Sequence, residues 1–580
     1  MRSILETIMR SILAFIFIPI YSSIAFAYSP PIGIPDPGLW GTTHPIDSAA
    51  PDTATKCPNW PGSATTGCYY IDNSVTCSDV STYGYPNLPR CNPANVTYAA
   101  GSYIEIHGGP YTGIYQWSFS GTSANPVWVH GDSTTRPTFT GEIRLGGLQG
   151  ITYTILENLN FNSGVNSCIT VRAQSATPSN NFAIRNSNFS NRTQTGDTAA
   201  LGTTPDLGAT MHDVVIYNNT FSDLGDWENV VDDDFHGYNP TLWSRDATTY
   251  QYNVWFLDND CSYVSGDCIQ INGGTWGIEA HENLHHIYVG NNTAHHNRQS
   301  GIYTKQAKDV VISSNVVHDM YAHGTQQGIC YGILYTPDNY WLINNECYTS
   351  NHGVRQGDCK SWASGAVDCS DVATHNQYFI GNVFHDIKYF NGTDNSADYF
   401  GCAIKFYYGP GTMNVIDNTF YDVRLGYVNY NAGGTTNLSG NIIKDVILDH
   451  LYLSSNATDD VNIDYSDLYD TDGLLIQWGA TAYTSMATFQ GLGQCTNCLT
   501  DDPLFVSASD LRLQSNSQAI GAGVEDAAYD TFFTLYGIDI QKDRAGSTRP
   551  LNTTWDIGAY EYNEATAPQS RGTVPLGNMQ

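Results

Sequence analysis

Six short stretches of this 580-residue chain, GDCIQIN, SGIYTKQ, YGILYTP, HGVRQGD, CAIKFYY and GYVNYN, alternate apolar with polar residues in the manner of β-strands rather than helices. Laid over one another by their apolar positions, they give two columns of outward side chains. One holds Gln270, Tyr303, Leu334, Arg355, Lys405 and Asn429, the other Asn272, Lys305, Thr336, Gly357 and Tyr407. Strand side chains alternate between faces, so both columns share one face, with about 5 Å between neighbouring strands. Three cations beside two tyrosines, in a chain with 56 acidic and 24 basic residues, form a strip suited to a polyanionic sugar chain. Lys405, Gln270, Asn272 and Tyr407 are then candidate substrate-binding residues.

The chemistry such a strip suggests is removal of the proton α to a uronate carboxylate. That proton is weakly acidic, so the reaction needs a base beside it and positive charge on the carboxylate. Lys305 is the candidate base, Arg355 or Ca²⁺ the neutralising cation, and His318 or Tyr303 the proton donor. A lysine serves as base only in its uncharged form, which its surroundings must permit. Hydrolysis would instead require two placed carboxyl groups, for which Asp258, Asp260, Asp267 and Asp358 lie near the strip. A solenoid that only binds glycans is the third reading.

Two further groups bear on the site. His295, His318, Tyr348, His385, Tyr421 and Lys444 recur three residues after a turn asparagine, four of them followed by Asp. The stretch GDWENVVDDDFHGYNPTLW carries Asp232, Asp233 and Asp234, which with Asp223, Asp226 or Asp267 could offer oxygen ligands to Ca²⁺. Trp227, Trp243, Trp276 and Tyr288 suit stacking on sugar rings as well as packing; Trp243 and Trp276 are assigned to substrate binding. The His-rich run HENLHHIYVGNNTAHHNR lacks the helical HxxxH spacing of a transition-metal site.

The elements that must position these residues are repeats. The phrases IYNNTF, FLDNDC, YVGNNTA, ISSNVV, LINNEC, FIGNVF, VIDNTF and LSGNII are variants of one phrase, with an apolar residue two places after the asparagine. Adding Phe161, Phe189 and Leu468 gives eleven rungs separated by 23 to 40 residues. A minimum period of 23 built from strands fits a parallel β-helix, whereas helical repeats and propeller blades are longer and the leucine-rich signature is missing. Stacked coils would set each asparagine about 4.8 Å from the next, close enough for an amide ladder.

With 54 Gly, 39 Tyr and 14% charged residues the chain is ordered and β-leaning. Its formal charge of −32 argues against nucleic acid or an anionic membrane as partner. Residues 1–27 read as a secretory signal peptide, with Arg2 and Arg10 before the apolar SILAFIFIPI and small residues at Ala25 and Ala27, so secretion is expected. Its apolar core is too short for a membrane span. All 14 cysteines follow that point, an even count that reads as disulfides. Cys57, Cys68, Cys77 and Cys91 would staple the leader, and Cys359/Cys369 and Cys495/Cys498 are close pairs. For Cys261 and Cys347, on the inward rung column, a buried thiol is equally compatible. The expected order is a cap over 28–100, a solenoid over 101–475, a closing segment over 476–562 that shields the last coil, and a tail over 563–580.

The asparagine rungs, together with the ending DPLF…LRLQSNSQAIGAG…DIGAYEY, resemble the secreted bacterial right-handed parallel β-helix proteins of the pectate-lyase-like superfamily. The resemblance covers about residues 100–562 and implies an all-β fold, a right-handed parallel β-helix. Members include polysaccharide lyases, glycoside hydrolases, uronate epimerases, esterases and adhesins, so the fold alone does not choose among activities. Lysine serves as base in some of these lyases, which supports Lys305. GDCIQING resembles the polygalacturonase GDDC segment and YTK its RIK, but the second Asp and the GHG histidine motif are absent.

Overall fold

Eight successive coils pass a two-residue corner whose second member is asparagine, with Ser187 and Ser466 in that place at the two ends of the run. The first member, for example Asn218, Asp258, Asn291, Ser314, Asn344 or Asp417, has φ between +51° and +59°, and glycine takes this place at 381 and 440. Asn, Asp and Gly enter this left-handed region at least cost. The asparagine then joins coil to coil: Asn259 Oδ1 accepts both the main-chain N–H and the side-chain amide of Asn219, and the pattern continues through Asn292, Asn315, Asn345, Asn382, Asn418 and Asn441 at 2.8–3.1 Å. The remaining amide hydrogen goes to a main-chain carbonyl, as from Asn345 to Ile312 O at 2.9 Å. Every polar atom of this buried spine is therefore satisfied, which is what burial of an amide demands.

The computed structural model describes residues 28–564 apart from 81–83, 94–97, 147–149, 164–166, 192–197, 228–233, 243–247, 274–282, 321–327, 358–374, 389–400, 407–410, 431–433, 456 and 459. The strands stack in parallel as a right-handed β-helix with three faces. The first face is a 16-stranded sheet whose main path runs from Cys68–Asp72 to Val461–Asp464. The second consists of short strands just past the asparagine corner, such as Thr293–His295 and Val316–His318. On the third lie β1 (Ile143–Gly146), β2 (Ile169–Ala173), β3 (Thr198–Pro205), β4 (Phe235–Pro240), β5 (Asp267–Asn272), β6 (Ser300–Lys305), β7 (Ile329–Leu334), β8 (His352–Gln356) and β9 (Cys402–Phe406). The second and third faces share one hydrogen-bonded network because Thr419–Asn429 and Ile442–Leu453 run through the corner between them.

Inside, the rung column forms a stacked core. Phe139, Phe161, Phe189 and Phe221 lie ring over ring at 5.8, 4.8 and 4.7 Å, and the file continues through Cys261, Ala294, Val317, Cys347 and Phe384. Disulfides join Cys57–Cys68, Cys77–Cys91, Cys261–Cys268, Cys330–Cys347 and Cys495–Cys498. Cys261 and Cys347 are thus bonded rather than free, and Cys359 and Cys369 lie outside the described residues.

The two ends of the chain dress the outside of the stack. Ile34, Trp40 and Ile46 pack on an outward file of the first face that includes Val215, Trp255, Tyr288, Val311 and Trp341. Arg185, ion-paired with Glu157, donates to the carbonyls of Pro45, Ile46 and Ser48. Helix Ala527–Tyr536 lands on the same face, with Phe532 edge-on to Trp341 at 4.8 Å. Leu511, Leu513, Ile557 and Ala559 cover Val383 and Ile442 on the second face. The closing sequence therefore lies along the sides of the later coils, while Phe489 joins the end of the main core.

Candidate functional site

With the first face covered by both chain ends and the later second face by the closing segment, the third face is the one whose strands are flanked by the longest connections in the sequence. The asparagine corner between first and second faces is always tight. By contrast, the connections spanning 225–234, 241–249, 273–283, 319–328, 357–375 and 388–401 all enter or leave the third face.

Register on this face brings several of the candidate residues together. Gln270 pairs with Tyr303 and Asn272 with Lys305, Tyr303 pairs with Gly332, Gly332 with Arg355, and Arg355 with Lys405. Leu334 stands beside Lys305 rather than Tyr303, and Val428, not Asn429, follows Lys405. Thr336 lies at a corner with φ +44°. Tyr407, Trp243 and Trp276 lie outside the described residues.

Tyr303 is the centre of the group. Its ring runs across Gly332, where an added β-carbon would stand 1.9 Å from a ring carbon. Lys305 Nζ lies 5.3 Å from the ring centre, within cation–π range. Burial raises the Tyr303 hydroxyl well above the ordinary tyrosine value, opposed by nearby Arg355 and reinforced by Asp267 and Asp234. The hydroxyl is therefore protonated at neutral pH.

Asp267 lies beneath this surface, fully buried. Ser300 Oγ donates to its Oδ1, Gln270 Nε2 donates to Oδ2 at 3.0 Å, and His236 Nδ1 is 3.3 Å from Oδ2. Asn272 Nδ2 in turn reaches Gln270 Oε1 at 3.3 Å. Burial raises the Asp267 carboxyl, while His236, Ser300, Lys305 and Gln270 pull it back. Three coils on from Asp267, buried His352 shares the file of Asp267 and Ser300. Its imidazole is held well below its usual range by burial first, then by Lys405 and Arg355. Lys405 is 2% exposed, with Nζ 5.9 Å from the Tyr430 ring centre.

Of the residues considered for calcium, Asp232 and Asp233 lie outside the described residues. Asp234 Oδ1 faces Arg298 Nη2 at 3.7 Å, and the Asp267 oxygens are engaged by Ser300 and Gln270. Among the described residues no group of three or more His, Cys, Asp or Glu side chains is arranged to hold a metal ion. The described pair does not form the six- to eight-oxygen cage that calcium takes.

His318 is not brought to Lys305. It lies on the second face, in a stack of rings His295–His318–Tyr348–His385 with spacings of 5.1, 4.8 and 5.0 Å, its Nδ1 2.7 Å from Asp319. Trp227 packs on Tyr263 at 4.7 Å, and Tyr288 is buried under the amino-terminal arm. Sequence reasoning missed Ser300, His352 and Gly332. The signal for His352 was its place three residues before Arg355, in the file headed by Asp267.

No family model and no curated protein matches the chain. Among solved structures it is similar to a GH136 lacto-N-biosidase from Eubacterium ramulus, at 11% identity over 71% of this chain and 66% of that one, TM-score 0.35. It is similar also to pectate lyase Pel9A, at 14% identity over 88% and 100%, TM-score 0.34. A PL6 family polysaccharide lyase from Pseudopedobacter saltans matches at 12% identity over 72% and 93%, TM-score 0.25. The chain spans just under two thirds of the biosidase. At such identities and scores no residue role is transferred from these structures.

Proposed function

We propose that this protein is a secreted carbohydrate-active enzyme that cleaves an acidic, uronate-containing polysaccharide by β-elimination on the third face. The observation that carries the reading is the register that sets Lys305, Tyr303 and Arg355 along one strip over three coils, with the buried Lys405 next in the file. Lys305, as free amine, takes the proton on the carbon next to the uronate carboxylate, and Arg355 neutralises the charge that develops there. The electron pair left on that carbon forms the new double bond as the glycosidic C–O bond breaks. Tyr303, kept protonated by burial, donates its proton to the departing oxygen. It serves better than His318, which another face holds. Asn272, oriented by Gln270 and through it by Asp267, meets a sugar hydroxyl.

A second reading, hydrolysis, needs two placed carboxyl groups; the acids this face offers are Asp234, 3.7 Å from Arg298, and Asp267, buried beneath Gln270.

Incubation of the mature protein with alginate, polygalacturonate, glycosaminoglycans and neutral glycans separates these readings. Ultraviolet absorbance from an unsaturated uronate is expected. Reducing ends without that absorbance would establish hydrolysis instead, and retention without products would leave a binding solenoid.

A further inference from the structure

The strip does not stop at the candidate site. Upstream of Gln270 its file runs back through Asn239 and Gly202 to Thr170 and Arg144, and the file of Lys305 runs back through Asn272, Thr241 and Thr204 to Arg172. Neither file contains Asp or Glu between β1 and β7, in a chain where acidic residues outnumber basic ones 56 to 24. What they contain between the cations is glycine, threonine and amide, a floor that can bond hydroxyls and repels no anion. Asn239 Oδ1 on this floor is shielded from water and takes no hydrogen bond.

At the upstream end, Arg144 and Arg172 lie on adjacent strands. Arg144 pairs with Glu142 at 2.8 Å and Arg172 faces Asp206 at 3.5 Å, yet their side chains remain 49% and 58% exposed. Glu142 is nearly buried and is also held by Thr170 at 3.1 Å, so it fixes the Arg144 guanidinium while leaving N–H groups toward solvent. Arg144 is five strands from Lys305, about 24 Å at about 4.8 Å per strand.

From this we infer a remote anionic subsite at Arg144 and Arg172. The glycan lies along the third face over these coils, and one of its carboxylates is bound there, several sugars away from the bond that breaks. The inference rests on the reading of the third face as the acidic-polysaccharide surface. It makes the enzyme one that grips the interior of long chains.

The test uses the full mature chain carrying Arg144→Gln and Arg172→Gln together, both exposed positions. Native electrophoresis through gels containing polygalacturonate or alginate reads binding without bond breaking, and kinetics on polymer and on short oligosaccharides of the same sugar read turnover. The expected result is a several-fold weaker retardation and a roughly tenfold higher KM on polymer, with kcat on polymer and KM on short oligosaccharides unchanged. Wild-type retardation that the double variant retains in full, or an equal KM rise on short oligosaccharides, overturns the remote subsite and leaves the reading of the face standing. A wild-type protein retarded by neither polymer overturns that reading and the subsite with it. Retardation that the variant weakens, without any unsaturated product, sustains the subsite and removes only the elimination chemistry.

Discussion

A β-carbon on Gly332 would stand 1.9 Å from a ring carbon of Tyr303, so the absence of a side chain in one coil sets the position of an aromatic in the coil before it. Gly332→Ala must push the ring off the strip, an overpacking that costs about 1–3 kcal/mol. We expect turnover on acidic polymer to fall more than tenfold while the far-ultraviolet circular dichroism is kept. Equal turnover in the variant would show that Tyr303 has no part in the reaction.

Lys305→Ala removes the proposed base. General acid–base catalysis contributes typically about 10²–10⁴-fold, and a loss of that size in kcat is expected, with retardation in polymer gels reduced only modestly. Full turnover in this variant assigns the base elsewhere.

The spine makes a separate claim about stability. Asn345→Ala would strand the main-chain N–H and side-chain amide of Asn315, both of which end on Asn345 Oδ1 at 2.9 Å. Leaving buried donors unpaired costs about 1–3 kcal/mol each. Thermal unfolding should therefore show a lowered midpoint, whereas an unchanged midpoint would mean that the ladder is ornamental to stability.

The closing segment is fastened through Asp417, whose carboxyl burial pushes up to about 7, opposed by Arg549 and by the Tyr529 hydroxyl that donates to it at 2.7 Å. An unfolded aspartate titrates near about 3.9, so the folded state holds the proton more tightly. That contribution to stability is complete below about pH 4 and is lost as pH rises through 7. Across this window Asp417→Asn should flatten the dependence of the melting midpoint on pH. Parallel curves for the two proteins would show that Asp417 does not supply the slope.

The repeat and its spine were legible because the asparagine corner tolerates no insertion, so the phrase survives from coil to coil. Strand register on the third face was legible only in part. YGILYTP was laid down two residues out and GYVNYN one, for a common reason: Tyr331 and Tyr427 point inward and are fully buried, Tyr331 donating to Glu346 O at 3.1 Å and Tyr427 bonded to Thr436 at 3.0 Å. A tyrosine reads as an outward residue until an internal partner for its hydroxyl is seen. The Asp267 network was hidden because its members, His236, Ser300 and Gln270, come from three coils and no linear spacing joins them.

The hollow of about 540 Å³ on the first face is walled by Pro30 to Asp36 on one side and by Ile538 to Gly546 on the other. Gly33 sits against Ile343, Phe532 and Ile540, which belong to coils and wrapping laid down hundreds of residues later. The arm is thus gripped twice, by Arg185 and Trp255 of the middle coils through the carbonyls of Pro35, Pro45, Ile46 and Ser48, and by the closing sequence through Gly33. Removing the closing sequence would take away one wall of the hollow and leave the first grip intact.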